Sequence, residues 1–268
     1  MMLQTVGALT RASWYQARSY RLALLMQAFS ILLVVVPTYF ISRALQPTMA
    51  GPIAAESDQY FAFVLVGSIA LTLVTTAMTA LQGAIGGGIA SGYFESLLMT
   101  RSTLPATLVG LSSYPVLITA IRAGAMLAAG AALGAQVVWQ NSLPALLILA
   151  LLVAAHWGFG LMAAALIVAF RTSGPIIQVV SLFSLLFGGV YYPVSVIPSW
   201  LGVVAQVTPL AYGLRAFRRV LLQGDGLGSV ATDLLMVTSM GAVALVIGAL
   251  SFQAALRYAR RAGTLGAY

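Results

Sequence analysis

Lysine and cysteine are missing from this chain, and histidine occurs once, as His156. Each absence removes a class of chemistry. Without cysteine there are no disulfides and no thiolate ligands or nucleophiles. Without lysine there is no Walker A loop, whose lysine must reach the β- and γ-phosphates of a nucleotide. If ATP powers this protein, another polypeptide binds it. Carboxylates number five, Glu56, Asp58, Glu95, Asp225 and Asp233, and they are scattered. One histidine and scattered carboxylates make neither a metal-ligating cluster nor a catalytic constellation. No catalytic residue, no metal site and no cofactor is therefore expected on this chain.

Charge as a whole is scarce. It makes up 7% of the 268 positions, where a soluble domain carries roughly 25%. Apolar types make up 61%. Such a chain cannot cover itself with polar surface, so its solvent is lipid. Six long apolar blocks fill it: Leu22–Leu45, Tyr60–Leu81, Thr107–Ala135, Leu143–Phe170, Pro175–Val190 and Val230–Leu256. A helix crossing ~30 Å of hydrocarbon needs about 20 apolar residues. Five blocks reach that length, and the fifth block, at roughly 16, does so only if it continues through Tyr191–Val196. A membrane β-barrel would alternate apolar and polar residues, and these runs are continuous. Backbone in lipid must satisfy its own hydrogen bonds, so each block should be helical. The expected fold is an all-α integral membrane protein with six transmembrane helices in one domain, residues 1–268.

The net charge is +8, and all 13 basic residues are arginine. They flank the apolar blocks, where positive charge sets topology rather than binding nucleic acid. With the N-terminus in the cytoplasm, eight arginines fall inside: Arg11, Arg18, Arg21, Arg101, Arg171, Arg257, Arg260 and Arg261. Arg43, Arg215, Arg218 and Arg219 fall outside, and Arg122 lies within the third block. This bias predicts a multi-pass protein of the inner (plasma) membrane with both termini cytoplasmic. The first block is longer than a signal-peptide core and no clear small-residue cleavage site follows it, so it reads as a retained span.

Three segments between the blocks carry information. Residues 1–21 show Leu3, Val6, Leu9, Trp14 and Ala17 on one face, with Gln4, Arg11 and Arg18 on another. That pattern predicts an amphipathic helix on the cytoplasmic leaflet, its arginines toward anionic headgroups. Segment 83–105 opens with Gly86-Gly87-Gly88. Ser91 can cap a short helix, Glu95 suits its first turn, and Phe94, Leu97 and Leu98 share a face. Nothing of this chain obviously covers that stripe. It either docks a partner, with Thr100 and Arg101 alongside, or rests on the inner leaflet. Segment 191–229 is too apolar for a plain loop. Helices starting near Pro198 or Ser199 and at Pro209 suggest an outer hairpin dipping into the membrane, with Tyr191, Tyr192, Trp200 and Tyr212 at headgroup level. Leu210, Leu214, Phe217 and Leu221 form one stripe. Arg215, Arg218 and Arg219 fall opposite, able to meet lipid phosphates or an anionic substrate.

These segments resemble the ABC-2 family of ABC exporter membrane subunits. Gly92-x-x-Glu95-x-Leu97-Leu98-x-Thr100 is similar to the family's coupling-helix motif. Tyr192-Pro193-Val194-Ser195-x-x-Pro198-x-Trp200-Leu201, followed by Thr208-Pro209-Leu210-x-Tyr212, is similar to its signature after the fifth span. Two departures stand out: glycines rather than charges precede the first motif, and Arg101 rather than proline follows Thr100. The resemblance implies a permease subunit of an ATP-driven exporter. It implies a second permease copy or sibling, and a separate nucleotide-binding ATPase carrying ATP and Mg. That ATPase would dock on Phe94, Glu95, Leu97, Leu98, Thr100 and Arg101. Tyr191, Tyr192, Pro193, Pro198, Trp200, Pro209 and Tyr212 would form the outer hairpin or gate.

Few charges line any block, which favours lipophilic or amphipathic cargo: drug-like molecules, lipids or lipid-linked glycans. The alternative is an ion-coupled secondary transporter. Such a protein usually keeps ionisable groups at the midplane, and no carboxylate falls there. Arg122 costs roughly 2.5–3.5 kcal/mol at a helix centre. It either faces a translocation path or subunit interface, or snorkels toward the cytoplasm. His156 is either a satisfied packing residue or a contact on the path.

Overall fold

The protein is described by a computed structural model covering residues 2–172 and 175–262, with the backbone alone for residues 21, 23, 24, 95 and 98. Among these residues every regular element is helical. Helix α1 is Met2–Ser19 and α2 Arg21–Ile53. Helix α3 is Tyr60–Ala90, α4 Tyr93–Leu98, α5 Leu104–Ala132 and α6 Ser142–Phe170. Helix α7 is Ile176–Phe187, α8 Ser199–Gln206, α9 Pro209–Arg218 and α10 Ala231–Arg261. Five helices, α2, α3, α5, α6 (counted from Trp139) and α10, are long and apolar enough to cross a membrane.

Helix α3 is the hub. Its residues are buried along nearly the whole length, from Tyr60 to Ile89. Four threonines on α3 satisfy their hydroxyls by donating to the carbonyl four residues back, at Ser68, Leu71, Thr72 and Thr75. That removes the cost of a free hydroxyl in an apolar interior. Helix α5 runs antiparallel to α3: Gly130 lies against Leu65, and Thr119 reaches Thr76 at 3.4 Å. Helix α6 runs parallel to α3, with Gly160 against Met78 and Ile167 against Gly86.

Helix α10 runs parallel to α6, from Gly241 beside Ala155 to Tyr258 beside Phe170, with ring centroids 6.1 Å apart. This seam is made of small residues. A Cβ on Gly158 would overlap the Ala244 backbone, and one on Gly248 would overlap the Gly158 carbonyl. Without a hydrophobic driving force between helices in lipid, close backbone approach supplies the attraction.

Two parallel helices in sequence require the chain to return between them, and α7 lies on that return. Ile177 packs with Ala163 and Met78, and further on Tyr60 Oη donates to the Tyr191 carbonyl at 2.8 Å, at the opposite end of α3. Helix α7 has 12 residues, about 18 Å at 1.5 Å per residue. The block Pro175–Val190 thus holds a helix shorter than expected. Gly188-Gly189 stops it, and Gly189 adopts φ 77°, a conformation favourable only to glycine.

Two other expectations are corrected. The first two apolar blocks leave 46–59 between spans, but only 54–59 lies outside helix. Helix α2 continues through Pro47 and Pro52 to Ile53, and Gln46 ties it to α3 by accepting from the Tyr60 amide at 2.7 Å and donating to the Asp58 carbonyl at 3.1 Å. Gly86–Gly88 is no break either, because α3 runs to Ala90. Ser91 does not cap α4: its hydroxyl turns back to the Gly87 carbonyl at 2.8 Å and ends α3.

Candidate functional site

One end of the bundle carries α1, α4 and the ends of α3, α6 and α10. Helix α1 lies against α5: Leu9 meets Gly110, Thr10 bonds Ser113, and the Trp14 ring sits 6.4 Å from that of Tyr114. Helix α4 is anchored by Phe94, which is fully buried with Ile85, Ile89 and Leu108. The expectation that Phe94 belongs to a free docking face is therefore corrected. The end of α3, just before α4 in the chain, and the start of α5, just after it, cover Phe94, and Gly88 gives it room, since a Cβ there would stand 3.2 Å from the Phe94 Cβ. Past that anchor Leu97 is half-buried, Met99 is 91% exposed, and Thr100 and Arg101 are exposed. The Glu95 and Leu98 side chains lie outside the described residues. Phe94→Ala would leave a methyl-sized stub in a sealed site, and a loss of about 3 kcal/mol is expected. Protease sensitivity near residue 95 would report it.

The other end gathers α9 and the turns between α2 and α3 and after α7. Helix α9 is not a surface strip. Pro209, Leu210, Gly213, Leu214, Phe217 and Arg218 are all buried. Arg218 is 1% exposed. Its Nε and Nη2 donate to the Phe63 carbonyl at 3.2 and 3.0 Å, Nη1 to Gly189 at 2.8 Å, and Nη2 to Val190 at 2.9 Å. Nη1 also meets Glu56 at 3.0 Å, and the guanidinium stacks 3.3 Å from the Phe63 ring centroid. Gly67 has no Cβ because one would stand 2.7 Å from Nη2. Burial pulls the Arg218 pKa down to about 10 while Glu56 pushes it up, so it stays charged at neutral pH. The expected contact of Arg218 with lipid phosphate or substrate is thus corrected, since its fork is used up inside the protein.

Its neighbours are also paired. Arg215 bonds Asp233, a contact that raises the Arg215 pKa, and leans over the Tyr212 ring at 5.4 Å. Arg219 bonds Asp225 at 2.8 Å. Both remain partly exposed. Residues Arg219–Gln223 form a π-helical turn whose loosened carbonyls are taken up elsewhere: Asn141 Nδ2 reaches Val220 at 3.1 Å and the Val138 amide reaches Leu221 at 2.8 Å. At the rim Tyr191 and Trp200 are exposed, and Trp200 at 75% is the more so. Tyr192 donates to the Leu186 carbonyl, and Pro193 and Pro198 bracket the turn Val194–Val196.

Between the ends, α5 and α6 both pack on α3 and leave a lateral cavity of about 640 Å³. Leu73, Ala123, Leu149, Val153 and Phe217 are among its apolar lining residues. Trp157 Nε1 donates to Ser112 at 3.2 Å across its α1 side. Neither Arg122 nor His156 lines this cavity. Arg122 turns toward α2 and donates to Ser30 Oγ at 2.7 Å. His156 is fully buried, with Nδ1 2.8 Å from the Leu152 carbonyl and Nε2 without a partner.

Sequence reasoning missed the Arg218 socket because backbone carbonyls line it. Glu56 was a visible signal, a carboxylate expected on the same side as three arginines.

A helical bundle with five membrane-length helices, a short return helix and a six-residue helix tucked under one end defines a polytopic membrane protein. Residues 3–222 match the ABC-2 type transporter family. The chain belongs to that family, as an ABC permease. A comparison with curated proteins gives no match.

Proposed function

We propose that this chain is the permease subunit of an ATP-driven exporter, carrying lipophilic or amphipathic substrates out of the cell. Drug-like molecules, lipids and lipid-linked glycans fit the description. The chain crosses the inner membrane six times, with α7 and its flanks as the fifth crossing. The α4 end faces the cytoplasm. Charge supports this orientation: the α9 end carries Arg43, Arg215, Arg218 and Arg219 against Glu56, Asp58, Asp225 and Asp233, and so is neutral. The α4 end carries eight arginines and one carboxylate. Such a partition is the usual sign of a cytoplasmic face. Helix α1 lies in the inner interface. Residues 191–229 form a re-entrant outer hairpin that gates the path, and Arg215 and Arg219 remain available to lipid phosphate or substrate.

A separate ATPase subunit, binding ATP and Mg, docks on the α4 end. A second permease subunit, identical or related, completes the path. The observation that carries the reading is α4 itself. Phe94 locks it to α3 and α5, so a push on Leu97, Thr100 and Arg101 is passed directly to two spans. The lining of the α5–α6 cavity, almost wholly apolar, supports lipophilic cargo.

The test is copurification with the ATPase. Leu97→Asp with Arg101→Glu should lower ATPase recovery at least tenfold while the permease stays monodisperse in detergent. Undiminished recovery refutes the docking surface. Transport by proteoliposomes that needs an ion gradient but no ATP would favour the ion-coupled alternative.

A further inference from the structure

Arg122 carries a positive charge that no carboxylate among the described side chains balances. An arginine keeps its charge at every physiological pH. Among the described contacts its one hydrogen bond goes to a neutral hydroxyl, Ser30 on α2, and its Nε is buried without a partner. The five carboxylates of the sequence are all elsewhere. Glu56, Asp225 and Asp233 hold the three arginines of the α9 end, Asp58 lies in the same α2–α3 turn as Glu56, and Glu95 is on α4.

Depth makes the charge consequential. Helix α1 touches α5 at Gly110, Ser113 and Tyr114, and α5 ends at Ala132. Arg122 lies about 10 residues from each, or roughly 15 Å at 1.5 Å per residue. With α1 in the inner interface, that is the middle of the bilayer. A second copy of this chain, in parallel orientation, has its own carboxylates at the same two ends. A homodimer therefore brings no acid to this level.

The surroundings suit an amphiphile. Met26 and Leu33 sit one turn to either side of Ser30 on α2 and are exposed, as are Leu117 and Ile121 on α5. Arg122 is itself partly exposed between these helices. The site thus offers a cationic fork between exposed apolar side chains of α2 and α5. Guanidinium forks match carboxylate and phosphate oxygens in pairs.

We propose that Arg122 and Ser30 form an anion-recognition point for an amphipathic ligand with one carboxylate or phosphate group on an apolar chain. The inference deepens the exporter reading by giving its cargo a charge sign. It also stands without ATP, because binding is read on the permease alone.

The experiment measures binding of a fluorescent long-chain alkyl phosphate, a fatty acid and the matching alcohol to the full-length permease in nanodiscs. The wild type should bind both anions at least tenfold more tightly than the alcohol. Arg122→Gln should erase that preference while leaving alcohol binding in place. Arg122→Lys should keep part of it, which separates charge from folding.

Phosphatidylcholine and phosphatidylglycerol discs distinguish the source of the anion. Preference retained in both assigns the site to a diffusible amphiphile. Preference lost only in phosphatidylglycerol assigns it to a net-anionic bilayer lipid, which also supports an anion site. Equal binding of anion and alcohol by the wild type would overturn the proposal. So would rescue of Arg122→Glu by an Asp→Arg or Glu→Arg change in a copurifying sibling permease, since Arg122 would then be half of a subunit ion pair. Failure of ATPase docking with anion preference intact would sink the exporter reading and leave this site standing.

Discussion

Replacing Arg218 with methionine is expected to cost about 3–5 kcal/mol, the loss that follows when one partner of a buried ion pair is removed. The side chain holds three carbonyls and a carboxylate at once, on α3, on the turn after α7 and on the turn before α3. Methionine fills the volume but donates nothing, so the Phe63, Gly189 and Val190 oxygens and Glu56 lose a charged donor together. Thermal unfolding of the detergent-solubilised protein should fall far below wild type. Arg218→Lys should not rescue it, because a point charge with a different reach cannot reproduce the fork. Glu56→Gln removes one charged acceptor and keeps the carbonyl contacts, so about 1.5–3 kcal/mol is expected. A methionine variant as stable as wild type would mean that the socket is not structural.

Gly158→Val is the second large effect. Its Cβ would overlap the backbone of α10 at Ala244, and backbone cannot swing aside as a side chain can. The two helices must separate along a seam that also holds Ala155, Gly241 and Gly248. A loss of about 3 kcal/mol is expected, read as a lower melting temperature and a broadened size-exclusion peak. Gly83→Ala is the control. Apart from its own helix backbone, no atom lies within 4 Å of a Cβ placed there, so the alanine should be neutral or stabilising by up to about 1 kcal/mol. A wild-type melting curve for Gly158→Val would contradict the tight seam.

The long spans were legible because apolar runs in lipid leave one solution for the backbone. Their ends were less so. Pro47, Pro52 and Gly86–Gly88 lie outside the apolar blocks Leu22–Leu45 and Tyr60–Leu81, yet α2 and α3 run through them. In α3 the glycines serve approach: Gly86 admits Ile167 and Gly88 admits Phe94.

The candidate sites were legible in part. Wheel reasoning found the buried stripe Leu210, Leu214, Phe217 and Leu221 on α9 and its continuation. It grouped Arg218 with Arg215 and Arg219 by charge, although Arg218 follows Leu214 by one turn and so lies beside the buried stripe, while Arg215 stays exposed. Phe94 looked uncovered because its cover comes from α3 and α5, a tertiary contact that no local pattern encodes.

The short α7 has a consequence for biosynthesis. The carbonyls of Gly189 and Val190 leave the ribosome well before Arg218, which follows Val190 by 28 residues. During that interval these oxygens lack the donor that Arg218 gives them in the folded protein. Hydrocarbon offers none either. The nascent segment must therefore wait in a wet environment, at the headgroups or in the insertion channel, until α9 has been made. Truncation of the chain before residue 218 should leave a glycosylation tag near residue 191 variably placed, whereas extension past it should fix the tag on one side.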